Sequence, residues 1–178
     1  MKFAAATDHL IVAAADLDAG TAWLEERLGV ALAPGGRHAT MSTHNRLLKL
    51  GPRLYLELIA IDPAAPKPER ARWFGLDDPA LHARIAERPR LIHWVARCND
   101  IEAASAACPE PLGDVLDLSR GDLRWRITVP ADGHLPGNGL LPSLIQWQSP
   151  AQPAEPMPER GCALMKLEGF HPEPTRIR

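Results

Sequence analysis

The sequence predicts an α+β fold built from two β-α-β-β-β modules, with one extra strand near the C-terminus. The main observation is a repeat. Residues 8–19 align without gaps on residues 92–103 at an offset of 84, so that His9 falls on His93 and the two helix caps coincide. Matches in one register indicate a duplicated structural unit. The second observation is that short apolar runs, bounded by turn residues, follow each capped helix, as is typical of strands.

The first module begins with a strand at residues 8–14 and a helix that Asp16 caps and Gly29 ends. Three more strands, separated by turns, complete it. We predict these strands at residues 37–43, 46–50 and 53–61, with the turns at Pro34–Gly36 and His44–Asn45.

Proline-rich stretches mark the module boundaries. Four segments are expected: a first module at residues 1–62, a linker with a short helix at 63–90, a second module at 91–149, and a linker with a C-terminal strand at 150–178.

The short helix begins at Asp78 and Pro79 and ends near Glu87. In the second module, Asn99 or Asp100 caps the helix. The strands of this module are expected at residues 91–97, 115–118, 123–129 and 143–148, and the extra strand at residues 162–168.

The composition argues against several classes of protein. A formal net charge of −2 and scattered basic residues give no reason to expect nucleic acid or a membrane surface as a partner. No apolar stretch reaches transmembrane length. The 3 cysteines are widely spaced and form no CxxC pair, which argues against a disulfide framework and a thiolate zinc site. A cytoplasmic location is therefore expected. The absence of a dinucleotide fingerprint or P-loop predicts no nucleotide cofactor.

Four polar residues interrupt the apolar strands. His9 and His93 lie in the first strand of each module, and Glu57 and Gln146 in the last. Because strand side chains alternate, Glu57 shares with Tyr55 a face that would line an interior. Two imidazoles, a carboxylate and an amide oxygen form a possible ligand set for a divalent metal ion. Alternatively, the histidines are hydrogen-bonded core residues and Gln146 bonds a backbone group.

The sequence resembles the vicinal oxygen chelate superfamily and, within it, the glyoxalase-like domain family. The resemblance covers residues 6–178 and is carried by DHLIVAAADLDAGTAWLEERLGV, GGRHATMSTHNRLLKLG, YLELIAID, WFGLDDP, IHWVARCNDIEAA and SLIQWQ. It implies that the two modules curl curved mixed sheets around a central cavity. It also implies that a metal ion, where present, is held by His9, Glu57, His93 and Gln146.

We expect Zn, Ni, Mn or Fe in such a site, acting as a Lewis acid on substrate oxygens. Glu57, as ligand or base, and His44 are the candidate catalytic residues. Candidate substrate-binding residues are basic side chains, which suit an anionic group, and aromatic side chains, which suit apolar walls. They are Arg37, His38, Arg46 and Arg124, and Trp73, Phe74 and Trp125.

The resulting hypothesis is a divalent-metal-assisted lyase, isomerase or dioxygenase that acts on a small oxygenated metabolite. The alternative is a metal-free protein of the same fold that binds or sequesters a small molecule, as resistance proteins do. A third interpretation is a structural domain whose cavity is filled by its own side chains. The C-terminal strand either joins a sheet edge or pairs with a second subunit, which would give a homodimer.

Overall fold

Both halves of the chain have the predicted β-α-β-β-β order. The computed structural model describes residues 4–172 and residue 174. The first half contains β1 (Ala5–Ala13), α1 (Leu17–Leu28), β2 (Ala33–His38), β3 (Thr43–Gly51) and β4 (Leu54–Ile61). Helix α2 (Pro79–Glu87) connects the halves. The second half contains β5 (Arg90–Cys98), α3 (Ile101–Ala106), β6 (Asp114–Arg120), β7 (Leu123–Val129) and β8 (Ser143–Trp147).

The eight strands form one curled sheet in the order β2-β3-β4-β1-β5-β8-β7-β6. In each module the first strand pairs in parallel with the last, β1 with β4 and β5 with β8. The modules join where β1 pairs antiparallel with β5. The sheet curls far enough that its two edge strands, β2 and β6, come into contact. The predicted α+β fold with two modules is therefore confirmed.

The two faces of the sheet carry different parts of the core. The outer face packs on the helices, with Leu58 against α1 and Leu144 against α3. The inner face carries one continuous cluster, which includes Ile11, Ile59 and Val95 and extends to the walls of the central cavity. Since side chains alternate along each strand, a one-residue error in register moves a residue between these faces.

The predicted caps of α1 are present. The Asp16 side chain accepts a hydrogen bond from the Ala19 backbone (2.8 Å), and Gly29 ends the helix with a φ of 69°. Asp78 caps α2 and Asp100 caps α3 in the same way. Capping residues predict helix ends well, because their side chains bind the backbone donors that a helix end leaves unpaired.

Four local predictions are wrong. The expected strand at residues 37–43 is instead the end of β2, a 3-10 helix at Ala39–Met41 and the start of β3. Pro34–Gly36 is not a turn but part of β2, whose pairing with β3 is interrupted between Pro34 and Arg37 by a bulge. His44–Asn45 lies inside β3. Residues 162–168 form no strand and pair with no edge of the sheet, and Met165 is 90% exposed.

Within the described residues, no helix is both long and apolar enough to cross a membrane.

Candidate functional site

The site begins with an irregularity in β1. Thr7 pairs with Ala96 and His9 with Val95, so Asp8 is an extra residue that bulges from the ladder. As a result Asp8 and His9 both point to the inner face, where they are 1% and 3% exposed. Asp8 Oδ1 lies 2.7 Å from His9 Nδ1, and Asp8 Oδ2 accepts a hydrogen bond from Trp147 Nε1 (3.0 Å). The carboxylate therefore orients the imidazole and directs Nε2 into the cavity.

Glu57 lies beside this nitrogen of His9. Its Oε2 lies 3.4 Å from His9 Nε2, and both side chains are buried. An unprotonated nitrogen and an ionised carboxylate would face each other with lone pairs. A proton between the two atoms would remove this repulsion.

Asn45 fixes the other oxygen of Glu57. The Gly36 backbone N–H donates to Asn45 Oδ1 (2.7 Å), which establishes the orientation of the amide, and Asn45 Nδ2 donates to Glu57 Oε1 (2.6 Å). A Cβ on Gly35 would lie 2.0 Å from Asn45 Oδ1. The Gly35-Gly36 bulge is therefore what allows the amide to be held against β2.

Arg120 reaches this site from the second module. Its Nη1 lies 3.2 Å from His38 Nε2 and donates to Asn45 Oδ1 at 3.3 Å. Since arginine only donates, His38 Nε2 accepts, and the proton is on Nδ1, 3.0 Å from Thr43 Oγ1. His38 is therefore neutral. Burial lowers the pKa of His38 to about 4; the nearby Glu57 opposes this shift and Arg120 adds to it.

Aromatic rings surround these polar groups. Tyr55 stacks on His9 with ring centroids 4.6 Å apart. Burial, together with the carboxylates of Asp8 and Glu57, raises the pKa of Tyr55 well above its usual value. The remaining volume of this central cavity is only about 30 Å³, roughly one or two water molecules. Its aromatic walls are Trp73, Phe74, Trp125 and Trp147.

Residues 150–159, here called the cover segment, close the cavity. Pro153 lines it, and Ala154 and Met157 pack on Leu47 and Tyr55. Three polar contacts with β3 and the β3–β4 turn hold the segment, one of them a hydrogen bond from Lys49 Nζ to the Met157 carbonyl (3.4 Å). Lys49 forms an ion pair with Glu159 (2.9 Å), and Arg53 Nε donates to Gln152 Oε1 (2.8 Å). A segment expected to be a linker therefore packs over the site.

The second module does not repeat this arrangement. His93 Nε2 accepts a hydrogen bond from the Ser143 backbone N–H (3.0 Å) and lies 3.1 Å from Ser143 Oγ. Burial lowers the pKa of His93 to about 3. Gln146 points to the helix layer, where its Oε1 accepts from the Ile101 N–H (3.1 Å) and its Nε2 donates to the Asn99 carbonyl (3.2 Å).

Besides His93 and Gln146, four more of the predicted site residues lie away from the cavity. Arg37 is largely exposed and pairs with Asp62 at 3.3 Å. His44 and Arg46 lie on the outer face of β3, alternate to Asn45 and Leu47. Arg124 folds back onto the carbonyls of Gly121 and Leu123. His44 is thus not placed to act on a molecule held by Glu57. The structure does bring together His9, His38, Glu57, Trp73, Phe74 and Trp125.

Three important residues were missed from the sequence. Asp8 reaches the inner face only because of the bulge, and Asn45 was assigned to a turn. Arg120 lies 82 residues from His38 in the chain, and no local pattern relates the two.

The four proposed ligands do not fit a common metal ion. Gln146 faces the helices, and the lone pair of His93 Nε2 is engaged by a backbone N–H. Beside His9 and Glu57, the positive guanidinium of Arg120 would repel a cation. Among residues 4–172 and 174, no group of three or more His, Cys, Asp or Glu side chains is arranged to hold a metal ion.

A larger groove, of about 980 Å³, lies at the other end of the second module. His93 and Trp94 line it, together with Leu81 on α2, Leu140, and the C-terminal segment around Leu167. It contains none of the groups around Glu57.

The family profile of the glyoxalase-like domain matches residues 7–178. No curated protein was found to match the sequence. A hypothetical protein from Staphylococcus aureus has a TM-score of 0.55 at 18% identity; the match covers 82% of this chain and 60% of that one, so this chain spans about 60% of its length. Hypothetical protein BH1468 from Bacillus halodurans C-125 has a TM-score of 0.51 at 14% identity, covering 83% and 98%. Methylmalonyl-CoA epimerase from Mycobacterium tuberculosis has a TM-score of 0.46 at 18% identity, covering 79% and 85%.

Proposed function

Because this chain belongs to the glyoxalase-like domain family, we propose that it binds a small oxygenated molecule beside His9 and Glu57 and transfers a proton on it without a bound metal ion. The observation that carries the proposal is the 3.4 Å contact between His9 Nε2 and Glu57 Oε2 in an enclosed, aromatic cavity. A carboxylate and an imidazole at this distance are a candidate general base and acid, because catalytic contacts are often long until a substrate binds.

The proposed step is proton transfer at a carbon next to a carbonyl group. Glu57 Oε2 takes the proton, and the electrons of the broken C–H bond remain on the substrate as an enolate. Return of the proton to the same or a neighbouring carbon gives an isomerase reaction, and loss of a leaving group gives a lyase reaction. His9, oriented by Asp8, exchanges the proton with Glu57.

The free-energy cost of burying two carboxylates supports a functional role for the cluster of Asp8, His9 and Glu57. Asp8 and Glu57 are both buried, and an uncompensated carboxylate in an apolar interior costs several kcal/mol. If these two positions only filled the core, apolar residues would be sufficient. Buried, interacting ionisable groups in a cavity are a feature of active sites.

The cavity must open to admit a substrate, because about 30 Å³ holds no more than water. The cover segment is the element to move, since it closes the site through a few side chains of Pro153, Ala154 and Met157. On closing it would exclude water from the proton transfer.

A second candidate function is binding without reaction. It is favoured by the aromatic wall of the cavity, in which Trp73 stacks on Phe74 (4.9 Å) and Trp125 lies 5.6 Å from Trp147. Such a wall suits the sequestering of an apolar molecule.

The test is hydrogen–deuterium exchange. Purified protein is incubated in D₂O with 2-oxobutyrate or acetoacetate, and loss of the C–H signal beside the carbonyl is followed by NMR. The wild type is expected to accelerate exchange, and Glu57→Gln to slow it by about 10²–10⁴-fold. His134→Gln, on the surface beside Asp132, is the control.

Binding of these probes without exchange would favour the sequestering function. Dialysis against EDTA is expected to leave the exchange rate unchanged. A rate that falls with EDTA and returns with added Zn, Ni, Mn or Fe would contradict the metal-free proposal.

A further inference from the structure

Arg120 is a cation without a paired anion. It is half-buried, and among the described residues no carboxylate oxygen lies within the 4.0 Å of an ion pair. Among the described residues only Nη1 has hydrogen-bond partners, and both of them, His38 Nε2 and Asn45 Oδ1, are neutral. Nε and Nη2 donate to no group in the described part of the chain. An arginine side chain has five N–H groups in a planar fork, so most of its binding capacity is unused.

The backbone is shaped to hold the guanidinium in this place. A Cβ on Gly36 would lie 2.8 Å from Arg120 Cδ and 3.1 Å from Nε. The side chain therefore crosses directly over the glycine, where the two edge strands of the sheet meet. Arg120 comes from β6 of the second module, and the site it enters belongs to β1–β4 of the first.

Asn45 keeps the guanidinium apart from Glu57. Its Nδ2 donates to Glu57 Oε1 (2.6 Å), while its Oδ1 accepts from Gly36 and Arg120. The amide thus separates a carboxylate from a guanidinium that would otherwise neutralise each other. One end of the cavity is left with a base, and the other with a cation free to bind an anion.

We propose that Arg120 binds the carboxylate of a small anionic ligand and holds the ligand's short chain, with its C–H next to a carbonyl group, beside Glu57. The proposal rests on the proposed function for the position of the site. Leu123, Pro153 and Trp147 line the same cavity, so the rest of the ligand is short and apolar. The ligand class is therefore short-chain carboxylates, including 2-oxo acids. In the proton-transfer step, Arg120 stabilises the oxygen on which negative charge develops.

The test compares butyrate with butyramide, which have the same shape but differ in charge. Each is titrated into ¹⁵N-labelled full-length protein, and the side-chain amide of Asn45 and the indole N–H of Trp147 are followed by NMR. Butyrate is expected to shift both signals and to bind about tenfold or more tightly than butyramide, as a charge-assisted bidentate contact predicts.

Substitutions at Arg120 test whether this residue causes the preference for butyrate. Arg120→Gln is expected to remove the preference for butyrate, and Arg120→Lys to restore part of it, since lysine keeps the charge but lacks the fork. Arg124→Gln is the matched control, because the guanidinium of this arginine donates to the carbonyls of Gly121 and Leu123. Thermal unfolding shows whether Arg120→Gln folds. If the variant does not fold, the relative affinities of butyrate and butyramide for the wild type still test whether the site prefers an anion.

Equal affinity for butyrate and butyramide would overturn the proposal. So would a butyrate affinity unchanged in folded Arg120→Gln, or shifts confined to Trp94 and the groove beside His93. Glu57→Gln separates this proposal from the proposed function. It is expected to slow proton exchange by about 10²–10⁴-fold but to keep or tighten butyrate binding, because it removes a nearby negative charge.

Discussion

Ser143 occupies in the second module the position that Glu57 occupies in the first. Glu57 pairs with Ile11, and Ser143 pairs with Val95, the residue equivalent to Ile11 in the repeat. Both side chains contact the histidine of their module, at 3.4 Å for Glu57 Oε2 and 3.1 Å for Ser143 Oγ. The modules therefore share a backbone arrangement, but only the first has a carboxylate at this position.

Replacing Gln146 tests its place on the helix side of the sheet. Gln146→Ala removes the acceptor for the Ile101 N–H in the first turn of α3, and we expect a loss of about 1 kcal/mol in the free energy of unfolding. Proton exchange and metal content should be unchanged. Urea denaturation and the D₂O assay measure these effects, with the exposed Gln148→Ala as control. Loss of proton exchange in Gln146→Ala would show that this residue takes part in the site.

Asp8 is expected to matter for stability as well as for proton transfer. Asp8→Ala leaves His9 Nδ1 and the Trp147 indole N–H without their acceptor. A buried unsatisfied donor costs about 1–3 kcal/mol, and urea denaturation should show a loss in this range or above it. Asp132→Ala, at an exposed carboxylate, should change stability by less than about 0.5 kcal/mol. Equal stability of the two variants would mean that Asp8 is not a buried acceptor.

Stability should fall as the pH is lowered from 6.5 towards 4. Burial holds the pKa of His38 at about 4 and that of His93 at about 3, below the unfolded value of 6.5. In this range the unfolded chain binds protons that the folded chain does not, so acid favours unfolding. At about 1.4 kcal/mol per pKa unit, each group contributes roughly 3 kcal/mol to the loss.

The measurement is urea denaturation at several pH values between 7.5 and 4.5. His38→Gln and His93→Gln should each flatten the dependence on pH. The groups around His38 are Glu57, Arg120, His9 and His44. Unchanged slopes in both variants would show that these histidines titrate normally in the folded protein.

Gly35 should tolerate no side chain. A Cβ there would lie 2.4 Å from the Asn45 backbone oxygen and 2.0 Å from its Oδ1. We expect Gly35→Ala to lower the free energy of unfolding by about 1–3 kcal/mol and to shift the Asn45 side-chain amide signal. Gly51→Ala is the control, because its nearest neighbour would be the Leu54 Cβ at an ordinary 3.5 Å. Similar stability of both variants would exclude a role for the bulge in holding Asn45.

The cover segment should control entry to the cavity. Met157 is buried against Leu47 and Tyr55, and Met157→Ala weakens the packing that holds the segment closed. We expect butyrate to associate faster with this variant, as measured by stopped-flow tryptophan fluorescence, with the affinity changed less than the rate. Met165→Ala, at a 90% exposed position, is the control. An unchanged association rate would mean that ligands enter by another route.

Most of the fold could be predicted because its signals are local. The caps at Asp16 and Asp100 act within one helical turn, and the repeat shows in the sequence as matching residues at a fixed offset. The error at Gln146 is one of strand parity. Ser143 and Gln146 lie three residues apart on β8, and Ser143 is the one that contacts His93. Because side chains alternate along a strand, this odd separation places Gln146 on the opposite face.

By itself, the sequence determined the two modules, their helices and the inward-facing His9 and Glu57, because chain-local capping and the alternation of strand side chains specify them. The tertiary structure alone decided which groups meet. A bulge turns Asp8 inward, and a second bulge at Gly35-Gly36 makes room for Asn45. The curl of the sheet brings its edge strands together, so that Arg120 enters a site built by the other module. These contacts depend on register and curvature across distant segments, which no short stretch of sequence encodes.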